Sequence, residues 1–192
     1  MKTKISLLGA ILVQILFVSA VCSAQEFKID AKALGLMRFS APESLAAKKY
    51  LGLSDAAEFS LGQIKADYVL MQIFSMYCPV CQKDAPAVNQ LFELVQADPN
   101  LKNRIRFLGI GTGNTPYEVE VFRKKFKIQF PMIPDDDFSV QKISSHDIRT
   151  PTFVIVRIKD QNQLEIVKTR VGEIKDSQGF FESMVQQLAQ KK

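Results

Sequence analysis

The chain has 192 residues, 47% of them hydrophobic and 23% charged. That balance fits one globular domain with a sizeable core and excludes a disordered protein. The formal net charge of +5 is not gathered into a basic block, which excludes a nucleic-acid footprint.

Residues 1–24 read as a separate element. Lys2 and Lys4 precede an apolar run from Ile5 to Val21, and small residues follow, ending Cys22-Ser23-Ala24. This is the layout of a secretory signal peptide cleaved after Ala24. An uncleaved membrane anchor is a competing reading, because the run approaches spanning length. A lipid on Cys22 is a third, weakened by the bulky Val21. Export predicts a periplasmic or otherwise extracytoplasmic protein, secreted or held by its N-terminus. Of the three cysteines it leaves Cys78 and Cys81, in a compartment where disulfides persist. Loss of Lys2 and Lys4 lowers the net charge from +5 to +3.

Residues 25–57 show weak periodicity and read as an N-terminal extension with one short helix in "ESLAAKKYLGL". A domain over residues 58–192 follows. "AEFSLGQIKA" suggests a short strand and turn. Tyr68–Met76 is nearly all apolar and suits a strand buried on both faces, as in a parallel sheet. Ala85, Val88, Phe92 and Val95 recur at helical spacing, and "ADPN" ends that helix. Ile105–Gly111 reads as a second buried strand. Thr115 to Glu118 is a capping box with Pro116 at the first helical position. "FPMIPDDD" suggests a short strand and an acidic turn, with Asp135–Asp137 read as solvated and not as a calcium site. "SVQKISS" is a short helix. Thr152–Ile158 and Leu164–Val171 form a hairpin, and a last helix carries Phe181, Met184, Val185 and Leu188. The order is βαβα, a short insert, then ββα.

Cys78 and Cys81 stand where the first buried strand becomes a helix. Free backbone N–H groups and the helix dipole there favour an anion, so Cys78 is expected to have a lowered pKa and to be the nucleophile. Pro79 suits the first helical turn. Cys81 lies on the same face, partly shielded, as a resolving thiol. An inert disulfide would close too short a loop to constrain the unfolded chain much. A structural zinc site needs about four ligands, and His146 is the sole histidine. "GIGTGN" lacks the third glycine of a dinucleotide loop and reads as a plain loop.

"FSMYCPVCQKDAP" and, some seventy residues on, "RTPTFVIV" make the chain resemble the exported thioredoxin-fold thiol–disulfide oxidoreductases of the TlpA/ResA/CcmG type, over about Phe59 to Leu188. The resemblance implies an α/β thioredoxin-like fold, a central mixed sheet flanked by helices. It implies a kinking proline in the active-site helix at Pro86, and a cis Thr150-Pro151 bond facing the cysteines. Asp84 matches a carboxylate that this family often carries three residues after the second cysteine; one turn beyond Cys81, it is placed to exchange a proton with that thiol. Tyr77, in place of the family's tryptophan, joins Thr150 and Pro151 as the surface that binds the partner chain. Gln72 departs from the buried aspartate of classical thioredoxins. The resemblance further implies reduction of protein disulfides, with apocytochrome c as one substrate and a membrane thiol reductase as electron donor. No cofactor and no metal is called for.

Two rivals remain open. In a peroxiredoxin-like peroxidase, Ser75 and Arg149 would take the hydroxyl and arginine positions, but Met71 stands where that motif needs proline. The other rival is a non-catalytic binding or chaperone module on the same scaffold.

Overall fold

A computed structural model describes residues 27–161 and 163–190. The expected signal segment, the competing anchor and Cys22 lie outside the described residues. Among the described residues no helix is long and apolar enough to cross a membrane.

The elements are α1 (Ala31–Leu36), β1 (Phe39–Ser40), α2 (Leu45–Leu51), β2 (Glu58–Phe59), a 3-10 turn at Leu61–Gln63, β3 (Tyr68–Phe74), α3 (Pro79–Ala97), β4 (Ile105–Thr112), α4 (Pro116–Lys125), β5 (Met132–Asp135), α5 (Ser139–Lys142), β6 (Thr152–Asp160), β7 (Gln163–Val171) and α6 (Ser177–Gln190). The main sheet has the order β5-β4-β3-β6-β7. β3 runs parallel to β4, and β4 to β5. β6 is antiparallel to both β3 and β7. The predicted βα units supply the parallel half and the predicted hairpin the antiparallel half.

β3 is the central strand, and all seven of its residues are buried. Strand alternation sends Tyr68, Leu70 and Phe74 into one core with residues of α3, α4 and α6. Val69, Met71 and Ile73 enter a second core with Ile29, Leu34, Phe39, Leu51 and Val140. Residues 27–57 therefore carry more structure than their pattern suggested. α1 and β1 were not anticipated: α1 is a six-residue helix, capped by the Asp30 carboxylate, which accepts from Lys32 and Ala33 N–H, and β1 is a two-residue strand paired with β2. Elements this short leave too few residues to establish a period. α2 does lie inside the predicted helical stretch and ends at Gly52, in the left-handed region at φ 69°.

Two local readings are corrected. β3 ends at Phe74, two residues before the predicted Met76, because Ser75–Tyr77 turns toward α3. Asp135 is not solvated: it is 5% exposed, and its carboxylate accepts from the N–H groups of Ser139 and Val140 at the start of α5. Pro86 lies inside α3, which runs unbroken from Pro79 to Ala97.

Gln72 is an oddity of this sheet. It is 1% exposed, sits on the face shared by Leu70 and Phe74, and neither its amide oxygen nor its nitrogen has a partner. A buried unpaired amide is destabilising. Gln72→Leu is therefore expected to stabilise the protein by about 1 kcal/mol in urea denaturation; a loss of stability would mean that the amide is satisfied in solution.

Candidate active site

β3 delivers the chain to a tight turn, Ser75–Tyr77, and Cys78 then caps α3. Its backbone is extended (φ −82°, ψ 111°), and its Sγ accepts from the Cys81 N–H at 3.3 Å. Asparagine, serine or aspartate usually fills this position; here a thiolate would occupy the anion-favouring end of a 19-residue helix. From the other side the Cys78 thiol donates to the Thr150 carbonyl oxygen at 3.2 Å. The Thr150-Pro151 bond is cis, as the resemblance implied, and two segments 72 residues apart meet at one sulfur.

The two thiols differ sharply. Both are free, Cys78 half-buried and Cys81 fully buried. Partial burial pushes the Cys78 thiol up, but hydrogen bonds from the side chains of Thr150 and Cys81, with the backbone N–H groups of Cys81 and Val80, outweigh it, and its pKa lies below the ordinary thiol value. Cys81 is pushed up to about 12, first by burial and then by its hydrogen bond to Cys78. One thiol is prepared to ionise, and the other is held as a neutral thiol behind it.

Tyr77 is 66% exposed and flanks Cys78. Its hydroxyl donates to the Glu118 carboxylate, and that hydrogen bond raises the tyrosine pKa and lowers the glutamate's. The same carboxylate accepts from the Thr115 N–H and Oγ1 at 2.7 and 2.9 Å, closing the capping box of α4. The capping box was legible in sequence, whereas its tie to the active-site turn was not.

Asp84 is buried at 3% exposure. Its Oδ1 accepts from the Ile174 N–H at 2.8 Å, which holds the loop between β7 and α6 against α3. Burial raises its pKa, opposed by backbone N–H groups of Ile174 and Lys175. A carboxyl with a raised native pKa binds more protons folded than unfolded, so its contribution favours folding at low pH and is lost as pH rises through the native pKa. The stability of the native chain relative to Asp84→Asn is thus expected to increase on acidification below neutrality. Parallel urea midpoints across the pH range would contradict this.

Other candidates fall outside the thiol pair's contacts. His146 is exposed in the insert, its Nδ1 2.9 Å from Ser145 Oγ. Arg149 is exposed, and its carbonyl accepts from Thr152 Oγ1 at 2.6 Å. Met71 is fully buried in β3. Among the described residues no group of three His, Cys, Asp or Glu side chains is arranged to hold a metal ion. Sequence reasoning missed Asn114 and Gln82. The Asn114 Oδ1 accepts from Met76 N–H at 2.7 Å, and Gln82 Nε2 donates to Met76 O at 2.8 Å.

A dithiol at the strand-to-helix junction of a mixed five-stranded sheet, faced by a cis X-Pro bond, defines the chain as a protein of thioredoxin-like fold. The model of the AhpC/TSA family matches residues 39–158, and the chain belongs to that family. A curated relative, the thiol-disulfide oxidoreductase ResA of Geobacillus thermodenitrificans (strain NG80-2), is 24% identical over 81 residues, 42% of this chain and 44% of the relative. The match thus spans less than half the length of that relative. Among solved structures, a secreted Mycobacterium tuberculosis disulfide oxidoreductase homologous to E. coli DsbE superposes with a TM-score of 0.55 at 16% identity, over 81% of this chain and 98% of the other. The thioredoxin domain of a thiol-disulfide oxidoreductase from Bacteroides vulgatus gives a TM-score of 0.51 at 18% identity, over 67% and 86%. These two likenesses establish the fold.

Proposed function

We propose that the chain is an extracytoplasmic thiol–disulfide oxidoreductase that reduces protein disulfides through Cys78 and Cys81. The observation that carries this reading is the inequality of the two thiols: a half-exposed Cys78 with a lowered pKa at the α3 N-terminus, and a buried Cys81 held at about 12.

In the proposed cycle the Cys78 thiolate attacks one sulfur of a partner disulfide. The partner's S–S bond breaks, a Cys78–partner disulfide forms, and the released partner thiolate takes up a proton. Cys78 is then no longer an anion that accepts a hydrogen bond from the Cys81 thiol and repels its thiolate, so two of the effects that raise the Cys81 pKa disappear while burial remains. Cys81 loses its proton more readily and attacks Cys78 Sγ. That step expels the second partner thiolate and leaves a Cys78–Cys81 disulfide, two electrons having passed to the partner. Asp84, on the same helix, is the proposed proton acceptor. Thr150, Pro151 and the exposed Tyr77 ring form the proposed docking edge.

A dithiol donor must then reduce the pair. A membrane thiol reductase fits an exported protein, and the N-terminal segment of residues 1–24 supports export, with or without retention as an anchor. Apocytochrome c is one substrate in this reading.

Membership of the AhpC/TSA family makes peroxide the competing oxidant. Buried Met71 at the position where that motif needs proline weighs against it. The experiment offers the reduced protein an insulin-type disulfide and hydrogen peroxide separately, each with a thiol donor. Turnover of the disulfide but not the peroxide is expected. Peroxide turnover alone would replace this reading with a peroxidase, and turnover of neither would replace it with a non-catalytic module.

A further inference from the structure

The turn that presents Cys78 is suspended from a residue the proposed cycle does not use. Asn114 follows β4 and is fully buried at 0% exposure. Its Oδ1 accepts the Met76 N–H at 2.7 Å. Its Nδ2 donates to Ser75 Oγ at 3.5 Å and to the Gly113 carbonyl at 3.1 Å. Two residues of the three-residue turn before the nucleophile are therefore held by one side chain, 38 and 39 positions away.

Asn114 is itself braced from the insert. Gly113 sits in the left-handed region at φ 64°, and its N–H donates to Asp135 O at 2.8 Å. The Phe138 ring stands against the Gly113 Cα so closely that an added Cβ would come within 2.6 Å of ring atom Cε1. Phe138 is 52% exposed and has φ 58°, an uncommon backbone conformation for a bulky residue. A large aromatic side chain left half in solvent on such a backbone finds its packing partner in that glycine. The insert thus reaches the nucleophile twice: through Phe138, Gly113 and Asn114 to the turn, and through the Thr150 carbonyl to Cys78 Sγ.

We propose that Asn114, backed by Phe138 across Gly113, is a positioning residue for the nucleophile: it fixes the Ser75–Tyr77 turn so that Cys78 Sγ caps the N-terminus of α3, within reach of the Cys81 N–H and of Thr150. This rests on Cys78 being the nucleophile. Without the Asn114 acceptor the Met76 N–H loses its partner, the turn moves, and the sulfur leaves the N–H groups that favour its thiolate.

The test measures alkylation of Cys78 by iodoacetamide between about pH 5 and 9, the range that brackets a lowered thiol pKa. It uses the full chain in a Cys81→Ala background, with peptide-resolved mass spectrometry so that Cys22 is counted separately. The titratable groups around Cys78 are Tyr77 in the turn, Lys83, Asp84 and Glu93 on α3, Glu118 of α4 through its bond to Tyr77, and Arg149 beside Thr150; the substitutions leave all of them in place in every variant compared. Asn114→Leu keeps the branching of the side chain and removes the acceptor. It is expected to shift the profile to higher pH, with about a threefold loss of rate at the acid end and none at the alkaline plateau, where every thiol is ionised. Phe138→Ala, at a half-exposed site and therefore the variant certain to be compared if Asn114→Leu folds poorly, is expected to shift it the same way by less. A purely structural Asn114 would lower the melting temperature and leave the profile in place, which would overturn the proposal. An ordinary thiol pKa for Cys78 in the native chain, with Cys81 in place, would instead overturn the nucleophile assignment.

Discussion

Cys78→Ser is expected to abolish thiol–disulfide exchange, reducing turnover of an insulin-type disulfide to the uncatalysed background, while the melting temperature changes little. The hydroxyl of serine can still cap α3, as serine does at many helix N-termini, so the fold keeps its anchor at that point. It cannot supply a thiolate, and Cys81 cannot substitute, because it is fully buried, out of a partner's reach, and burial, the largest of the effects that raise its pKa, remains in the variant. Retention of exchange activity in this variant would move the nucleophile away from Cys78.

The second large effect is covalent. Cys81→Ser leaves Cys78 able to attack but removes the thiol that releases the partner. Mixed disulfides between Cys78 and protein partners are expected to accumulate from traces to the dominant species when the variant is isolated from cells without reductant. Non-reducing electrophoresis reveals the adducts, and mass spectrometry places the link on Cys78. The double variant Cys78→Ser/Cys81→Ser is expected to trap nothing. Equal trapping by the double variant would assign the adducts to another cysteine, and an absence of adducts in Cys81→Ser would point to an inert pair.

The parts of this site legible in the sequence are those whose chemistry is local. "CPVC" after a continuous apolar run marks a strand-to-helix junction by itself, and Thr115-Pro116 with Glu118 marks the start of α4. The Thr-Pro pair at 150–151 was recognisable through resemblance to a family, because nothing within seven residues says that it faces a cysteine 72 positions earlier. What stayed hidden is long-range and polar. Asn114 sits beside a glycine after a strand, which reads as an ordinary turn; only its burial and its bond to Met76 distinguish it. Tyr77 and Glu118 are 41 positions apart, and Asp84 and Ile174 are 90 apart. No periodicity connects such pairs, since each is made by the register of β3 against β4 and by the packing of α6 on α3. The short elements α1 and β1 were missed for a different reason. Their stability comes from Leu34 and Phe39 entering the second core, not from a repeat that a sequence window could detect.

Asp84 illustrates how the structure refines a residue found by resemblance. Its place one turn beyond Cys81 suggested proton exchange with that thiol. In the folded chain its Oδ1 holds the loop after β7 through Ile174, while Oδ2 is buried without a partner. An anchoring oxygen and an unpaired one on the same carboxyl leave a proton site available in the core beneath the active-site helix.

The most direct test of a Cys78–Cys81 exchange centre is an equilibrium redox titration of the full chain in dithiol buffers of graded potential, followed by intact mass after thiol trapping. The reading predicts a single two-electron transition in which Cys78 and Cys81 lose two trapping groups together, with a midpoint toward the reducing, thioredoxin-like end of roughly −270 mV and away from about −120 mV, the strongly oxidising end. A midpoint at the oxidising end would reverse the direction of electron flow. Failure of the two cysteines to form a shared disulfide at any potential would contradict the dithiol mechanism itself.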